Sequence, residues 1–261
     1  VLALAVAFGA SAQKNATPDG AKRQFQVFGV AFYNLENLFD TIDNENNDAE
    51  YLPNGANKWG SMKYNAKLKN MSYVISQMAI DNTPAGIALL GVSEIENRGV
   101  LEDLVKQPAL KDRSLQIVHY DSPDRRGVDV GLLYNPRLFT VTNSKSYRLY
   151  TDDPNFLTRD QLMVSGYLQD EKVHIIVNHW PSRYGGSASS PLREFAASIV
   201  KHIGDSIHAQ NPEAKVLIVG DLNDDPFNKS CSEVLGAKKN IKEVKPDGYY
   251  NATWKLYDQG I

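Results

Sequence analysis

Carboxylates, amides and one histidine follow four apolar runs of this sequence, each where a strand is expected to end. In sheet proteins, ligands collect where strand ends and their loops converge, because the rigid sheet fixes the groups that the loops expose. If the four ends meet, they form one site that is rich in oxygen ligands and has no thiolate. The residues are Asn34 and Glu36 after VAFY, Glu94 and Glu96 after LLGVS, Asn178 and His179 after HIIV, and Asp221 and Asn223 after LIVG.

This set of ligands favours a hard cation. Carboxylate and amide oxygens suit Mg²⁺, which keeps several waters and takes one or two protein carboxylates while a substrate phosphate completes its octahedron. Zinc would recruit more histidine or cysteine. Mg²⁺ beside a free carboxylate hydrolyses phosphate esters, because the metal neutralises a phosphate oxygen and the carboxylate orients or deprotonates water. We therefore expect Mg²⁺, with Mn²⁺ as the alternative, and a phosphate-ester substrate.

Four segments resemble the motifs of the Mg²⁺-dependent endonuclease/exonuclease/phosphatase superfamily in order and spacing: FYNLEN, GVSEIEN, VNHWPSR and VGDLND. That superfamily includes pancreatic-type deoxyribonucleases, abasic-site endonucleases, bacterial sphingomyelinases and inositol-polyphosphate phosphatases. The resemblance spans residues 25 to 261, and GDLN after an apolar strand is its most specific part. It implies a deoxyribonuclease I-like fold and a nuclease or other phosphodiesterase acting on a phosphate ester, with DNA and RNA among the candidate substrates.

The resemblance also implies which residues hold the metal. Glu94 resembles the main metal ligand of the family. Asn34 and Glu36 resemble the residues that support the metal and its waters. Glu36 has a second interpretation, since a carboxylate at this position can also cap the turn that follows it.

The same resemblance implies roles in the chemical step or in phosphate binding for four further residues. Asp221 resembles the residue that activates the nucleophilic water, and Asn223 the residue that donates to the scissile phosphate. His179 resembles the histidine that hydrogen-bonds the phosphoryl oxygen as charge accumulates. Arg159, in LTRDQL, is a looser match to a second cationic contact with the phosphate.

Other polar residues near these motifs have simpler interpretations. Glu96, Asp224 and Asp225 are expected to be solvated carboxylates of loops. The remaining histidines match no motif, so structural or surface roles are expected for them: His119, His174, His202 and His208.

The elements that must position the site are readable from periodicity. Residues 63 to about 80 and 190 to 210 have apolar positions at helical spacing, which predicts two amphipathic helices. Alternating and apolar runs predict strands, and the turns at residues 134–137 and 169–172 are typical of hairpins. Hairpins combined with strand–helix–strand units predict a four-layer α/β sandwich, with two packed mixed β-sheets flanked by helices.

Composition sets the outer limits of these predictions. The chain has 261 residues, 42% of them hydrophobic and 23% charged, which is long enough for one large α/β domain. The formal net charge is −3, so the protein as a whole does not attract a phosphate backbone. Nucleic-acid binding would therefore need a local basic patch or bound cations.

The beginning of the sequence predicts export. VLALAVAFGASAQ resembles the second half of a secretory signal, with Ala10-Ser11-Ala12 as the cleavage pattern. We expect residues 1–12 to be a signal remnant, 13–24 a linker and 25–261 the folded domain of a periplasmic or secreted protein. The apolar stretch is too short to span a bilayer, so no transmembrane anchor is expected. A buried N-terminal strand or helix is the alternative.

The end of the sequence departs from the family pattern. Family members finish with a strand that carries Asp-His, and no such pair follows VGDLND. We therefore expect the last strands of the domain to lie beyond Ile261. The other functions that the sequence leaves open are a phosphomonoesterase or phospholipid phosphodiesterase of the same fold, or a non-catalytic binding module. No stable protein partner is implied.

Overall fold

The computed structural model describes residues 2–8, 26–44 and 46–260, with side chains from residue 26 onward. Its strands form two sheets. The first contains β1 (Leu2–Phe8), β2 (Gln26–Leu38), β3 (Ile87–Ile95), β4 (Gln116–His119) and β5 (Asp129–Tyr134), in the order β1-β2-β3-β5-β4. The second contains β6 (Phe139–Tyr147), β7 (Gln161–Leu168), β8 (Glu171–His179) and β9 (Lys215–Asp221), in chain order.

The described chain contains four α-helices, and the three longer ones cover the outer faces of the sheets. The four helices are α1 (Ser61–Gln77), α2 (Arg98–Val105), α3 (Ser190–Gln210) and the short α4 (Trp254–Asp258). Single 3₁₀ turns lie at Ala49–Tyr51, Lys111–Arg113, Gly186–Ser189 and Ile241–Glu243, and a π-helical turn at Ser230–Val234. None of the helices in the described ranges is both long enough and apolar enough to cross a membrane.

Three apolar clusters hold the layers together. Leu68 and Ile75 of α1 and Leu101 of α2 pack on one face of the first sheet. The two sheets pack on each other through residues such as Leu89 and Val177. On the outer face of the second sheet, α3 contributes a third cluster around Trp180. The order helix, sheet, sheet, helix confirms the predicted four-layer α/β sandwich.

Each sheet contains one parallel pair of strands next to the other sheet's pair. β2 runs parallel to β3, and β8 runs parallel to β9. The carboxyl ends of these four strands carry the polar residues that the sequence placed in one site. Their neighbours β5 and β7 are antiparallel to β3 and β8, so both sheets are mixed as predicted.

One of the two predicted hairpins is wrong. The turn at residues 134–137 connects β5 of the first sheet to β6 of the second, so it carries the chain from one sheet to the other. Asn135 is buried at this crossing, and its backbone N–H donates to the carbonyl of Ala88. Turn chemistry is local and does not reveal which sheet the next strand joins. The turn at residues 169–172 does join an antiparallel hairpin, β7–β8.

The two ends of the domain show only part of what the sequence predicts. β1 pairs antiparallel with β2, from Leu2 opposite Phe32 to Phe8 opposite Gln26. Residues 9–25, which hold the predicted cleavage pattern and linker, lie outside the described residues, and the signal remnant stays a prediction. Within the described residues β9 pairs with β8 alone, and its residues are half buried. The expectation of strands beyond Ile261 also stays a prediction.

Candidate active site

Two contacts across the sheets bring the four strand ends together. The side-chain amide of Asn34, in β2, donates to Oδ2 of Asp221, in β9, at 3.1 Å. Nε2 of His179, in β8, lies 3.6 Å from Oε1 of Glu94, in β3. His179 and Asp221 are also direct partners in the parallel β8–β9 register. Four of the residues predicted from sequence therefore face one another.

Glu94 stands out by its backbone conformation. Its φ is +56°, and the register between β3 and β5 shifts between Ser93 and Ile95. An extra residue in a strand is a β-bulge, which redirects the side chain of that residue. Left-handed backbone costs a residue with a Cβ roughly 1–2 kcal/mol, so it persists only where the surrounding structure imposes it, as at functional sites.

Left-handed backbone recurs at the ends of two other strands, and asparagine adopts it at lower cost than glutamate. In β2 the register breaks between Asn34 and Leu38, and Glu36 and Asn37 have φ values of +51° and +57°. Asn223, two residues after β9, has a φ of +52°. The polar strand ends of β2, β3 and β9 therefore all contain left-handed residues that are not glycine, whereas the β8 end at His179 does not.

Glu94 has one carboxylate oxygen free for a ligand. Oε2 accepts a hydrogen bond of 3.0 Å from the backbone N–H of Asn37. Within the described chain Oε1 accepts no hydrogen bond, and its neighbours are His179 at 3.6 Å and Nη2 of Arg126 at 3.5 Å. The Glu94 side chain is 14% exposed, so this oxygen is reachable from solvent.

His179 is held as a neutral imidazole. Its side chain is 3% exposed, and Nδ1 has no hydrogen-bond partner among the described residues. Burial, and then the positive charges of Arg159 and Arg126, lower the pKa of His179 to about 2. The ring therefore presents a neutral group to Glu94 throughout the ordinary pH range.

Asp221 and Asn223 form a compact turn after β9. Oδ1 of Asp221 accepts from the backbone N–H of Asn223 at 3.0 Å, while Oδ2 accepts from Asn34. The side-chain amide of Asn223 donates to the carbonyl of Trp180 at 2.9 Å, and the backbone carbonyl of Asn223 accepts from Nε of Arg183. These bonds fix the orientation of both side chains before any substrate is present.

The glycine before Asp221 is required by the close approach of β8. A Cβ at Gly220 would lie 2.4 Å from the backbone oxygen of Asn178. Asn178 is itself fully buried, and its amide donates to the carbonyls of Ile176 and Val219. Asn178 therefore ties β8 to β9, while the neighbouring His179 faces the site.

Two carboxylates that were expected to be solvated are buried instead. Oδ1 of Asp224 pairs with Nε of Arg193, in α3, at 2.7 Å, and Oδ2 accepts from the hydroxyl of Ser230 at 2.6 Å. Glu96 accepts from the backbone N–H of Asp40 and from two amides, those of Asn44 and Asn46. The prediction was wrong for Asp224 and Glu96, because their partners lie far away in the sequence. Asp225 remains half exposed and pairs with Arg183.

Arg159 lies beneath the site with its guanidinium fully engaged. Nε and Nη2 donate to the carbonyls of His179 and Trp180, at 3.2 and 2.7 Å, and Nη1 donates to Asp124 at 3.1 Å. Burial lowers the pKa of this guanidinium. These contacts support the backbone around His179. The predicted contact of Arg159 with a substrate phosphate stays a prediction.

Glu36 is placed near the site, but its carboxylate contacts none of the other predicted residues. The side chain is exposed, and in the described part of the chain no hydrogen bond or ion pair joins it to Asn34, Glu94 or Asp221. Its backbone N–H donates to Oδ1 of Asn34 at 2.8 Å, and its carbonyl accepts from Lys67. The backbone of Glu36 thus orients the amide of Asn34.

Sequence reasoning missed Arg126. This side chain is 51% exposed and reaches Glu94 from a tight turn in which its backbone N–H donates to Oδ1 of Asp124. Gly127 completes the turn with a φ of +69°. The only sequence signal was the turn-forming string DRRG, which does not show that the turn lies beside Glu94.

Comparison with known proteins places the chain in a family. The sequence profile of the Endonuclease/Exonuclease/phosphatase family matches residues 29–261, so the chain belongs to that family. No curated protein sequence matches the chain significantly.

Several solved structures are similar to the chain at low sequence identity. D. rerio TDP2 humanized by 14 mutations has a TM-score of 0.52 and 13% identity, over 89% of this chain and 72% of that one. C. elegans TDP2 gives 0.47 and 18%, over 65% of this chain and 45% of that one. A β-hairpin deletion mutant of beta toxin from Staphylococcus aureus gives 0.49 and 16%, over 79% and 71%. The chain thus spans less than half of the C. elegans protein.

Proposed function

We propose that this protein hydrolyses phosphate esters with the help of Mg²⁺, and that its substrate is a phosphodiester, with a nucleic acid as the first choice. Family membership supports phosphoesterase activity in general. The observation that carries the proposal is the pair of contacts Asn34–Asp221 and Glu94–His179. They bring two carboxylates with different partners to neighbouring strand ends.

The ligands in the site fit a hard cation that keeps most of its waters. Mg²⁺ uses one or two protein carboxylates, and here Glu94 offers one oxygen without a hydrogen bond. Glu94 would hold the metal, with the amide oxygen of Asn34 beside it and Glu36 acting on the waters. When bound, Mg²⁺ supplies positive charge to a non-bridging phosphate oxygen.

Asp221 is the residue that we assign to the attacking water. Its carboxylate is fixed on one oxygen by Asn34 and on the other by the backbone of Asn223. A carboxylate accepts up to about four hydrogen bonds, so Asp221 still has sites that can orient a water and take its proton. Positioning of this kind removes the entropy cost of ordering the reactants at the moment of reaction.

His179 and Asn223 are the groups that we assign to the phosphate. A neutral imidazole donates one hydrogen bond, which strengthens as negative charge accumulates on the phosphoryl oxygens. Because the pKa of His179 is about 2, the ring performs this role without gaining a proton. One amide hydrogen of Asn223 is used by Trp180, and the second is free for the substrate.

Arg126 supplies the exposed cation that the sequence did not identify. It lies 3.5 Å from Glu94 and is half exposed, so it can turn toward a phosphate once a metal shares the charge of Glu94. Because the formal net charge of the protein is −3, a polyanion would have to be bound by local cations such as this one.

A substrate panel tests the proposal. The full chain is incubated with Mg²⁺ and plasmid DNA, RNA, bis-p-nitrophenyl phosphate, p-nitrophenyl phosphate, sphingomyelin or inositol phosphates. We expect turnover of bis-p-nitrophenyl phosphate and of a nucleic acid, lost in Asp221→Asn and retained in the surface variant His202→Gln. Absence of turnover on every phosphate ester would contradict the proposal. If p-nitrophenyl phosphate were the only substrate turned over, the proposed activity would be that of a phosphomonoesterase and not of a phosphodiesterase.

A further inference from the structure

A second cluster of metal-binding side chains lies outside the active site. His119 ends β4, Asp129 begins β5, and Asp121 lies in the loop between them. In the ranges that the structure describes, these are the only three His, Cys, Asp or Glu side chains whose ligand atoms all lie within 4.8 Å of one another. Asp129 lies on β5, opposite Ile95 of β3, and His119 lies one strand further out, on β4. The cluster therefore borders the strand of Glu94, but none of its three residues is assigned to the active site.

Asp129 fixes the orientation and tautomer of the imidazole. Its Oδ2 lies 3.0 Å from Nε2 of His119, and its Oδ1 accepts from the backbone N–H and hydroxyl of Ser122, at 2.9 and 2.5 Å. An ionised carboxylate only accepts hydrogen bonds, so Nε2 carries the proton. Metal-binding histidines are commonly oriented in this way by a carboxylate on the other ring nitrogen.

The other ring nitrogen of His119 then carries a lone pair without a donor. The side chain is 3% exposed, and no described residue donates a hydrogen bond to Nδ1. Its polar neighbour is Oδ1 of Asp121, at 3.9 Å, which is also an acceptor. Two acceptors at this distance do not bond each other, and a cation between them would interact favourably with both.

The geometry fits a transition metal between these two atoms. Zinc binds histidine nitrogen and carboxylate oxygen at about 2.0–2.2 Å, so tetrahedral angles place the two ligand atoms roughly 3.4 Å apart. The Asp121 side chain is 90% exposed, and a small rotation closes the remaining half ångström or so. We propose that Nδ1 of His119 and the carboxylate of Asp121 bind a divalent transition metal, best matched by Zn²⁺, and that Asp129 orients the imidazole.

A cavity borders the carboxylates of the cluster, although His119 is not part of its lining. Asp121 and Asp129 line a cavity of about 690 Å³ together with several asparagines. Oδ1 of Asn46, in the same lining, is buried and has no hydrogen-bond partner among the described residues. Waters on the exposed side of Asp121 would complete the coordination of the metal. The metal would also tie β4 to the loop that carries Asp124 and Arg126.

Zinc titration followed by NMR tests this site independently of catalysis. The full chain is stripped of metal, saturated with Mg²⁺ and titrated with Zn²⁺, while long-range ¹H–¹⁵N spectra follow the five histidines. We expect the Nδ1 resonance of His119 to move with one equivalent of Zn²⁺. Asp121→Asn, at an exposed position where folding is not at risk, should weaken binding at least about 10-fold, and Asp129→Asn should weaken it by a similar factor.

Two matched variants separate this site from other binding. Glu94→Gln removes the assigned active-site ligand, and His202→Gln removes an exposed histidine of α3; both should leave the response of His119 unchanged. A His119 ring whose resonances do not respond to Zn²⁺ would overturn the proposal. So would Zn²⁺ binding of equal strength in wild type and Asp121→Asn.

Discussion

The side-chain amide of Asn34 donates a hydrogen bond of 3.1 Å to the carboxylate of Asp221, joining β2 of one sheet to β9 of the other. The two residues are 187 positions apart in the sequence. Asn34 was assigned to metal binding, and this contact gives its side-chain amide a second role, in positioning Asp221. Its oxygen faces the backbone of Glu36, while its nitrogen orients the carboxylate assigned to the attacking water.

Substitution of Asn34 should therefore lower kcat even at saturating Mg²⁺. We expect about a 10- to 100-fold loss for Asn34→Ala, the usual range for a residue that orients a ligand or catalytic group. Asn34→Asp should lose more, because it sets a second carboxylate against Asp221. The measurement is kcat on bis-p-nitrophenyl phosphate across a Mg²⁺ series. Full recovery of kcat at high Mg²⁺ would limit Asn34 to metal binding.

Asp221 and His179 should affect the chemical step rather than substrate binding. Loss of a general base or of a phosphate donor typically costs about 10²–10⁴-fold in rate. Asp221→Asn and His179→Ala should lower kcat by this order with little change in KM. His179→Gln, which keeps a donor, should retain more activity than His179→Ala. Steady-state kinetics in which KM alone rises would reassign both residues to ground-state binding.

His179 should also make the folded state sensitive to acid. Its pKa is about 2 in the folded protein and about 6.5 when exposed in the unfolded chain. Between these values the unfolded chain binds the extra proton, so the free energy of unfolding falls as pH drops below about 6.5. Urea unfolding of metal-free protein at pH 7.5 and 5.5 should show a smaller loss in His179→Gln than in wild type. The exposed-site control His202→Gln should behave like wild type, and equal losses in all three proteins would contradict the assignment.

The loop after β9 should depend on a buried ion pair. Arg193 and Asp224 are both almost fully buried and lie 2.7 Å apart. Removal of one partner from such a pair costs about 3–5 kcal/mol, because the other charge is left buried without compensation. Arg193→Ala should therefore lower the free energy of unfolding by that order, as measured by urea denaturation.

An exposed arginine that contacts the same loop provides the control for that measurement. Arg183, in the loop after β8, pairs with Asp225 at 2.8 Å and lies 3.6 Å from Asp224, but its side chain is half exposed, and exposed pairs contribute about 0–1 kcal/mol. Arg183→Ala should therefore cost much less than Arg193→Ala. Comparable losses would show that the loop is not held by the buried pair.

The sequence predicted the parts of this site that are encoded locally. An apolar run that ends in polar residues marks the end of a strand, and Asn34, Glu94, His179 and Asp221 were all found from that pattern. Parallel strands bring their carboxyl ends to one edge, so convergence follows from the pattern and the fold class together. The helices α1 and α3 were equally accessible, because their apolar spacing has the helical period.

The sequence could not predict contacts whose partners are far apart along the chain. In the sequence, Asp224 is one of several carboxylates in a loop. Only the structure shows that Arg193 of α3 packs against it. Arg126 belongs to a polar turn in the sequence, and only the structure shows that this turn lies beside Glu94. The bulge at Glu94 is also invisible in sequence, since it depends on the register between β3 and β5.

The central claim is that Glu94 holds a catalytic Mg²⁺. The most direct test is to compare the metal dependence of turnover in wild type and in a Glu94 variant. Hydrolysis of bis-p-nitrophenyl phosphate by wild type and by Glu94→Gln is measured from excess EDTA through a rising series of Mg²⁺. The four converging strand ends predict no turnover in EDTA, restoration by Mg²⁺ in wild type, and a lower rate with a higher Mg²⁺ requirement in Glu94→Gln. Unchanged turnover in excess EDTA, or a Mg²⁺ response in Glu94→Gln that matches wild type, would contradict the assignment of this site.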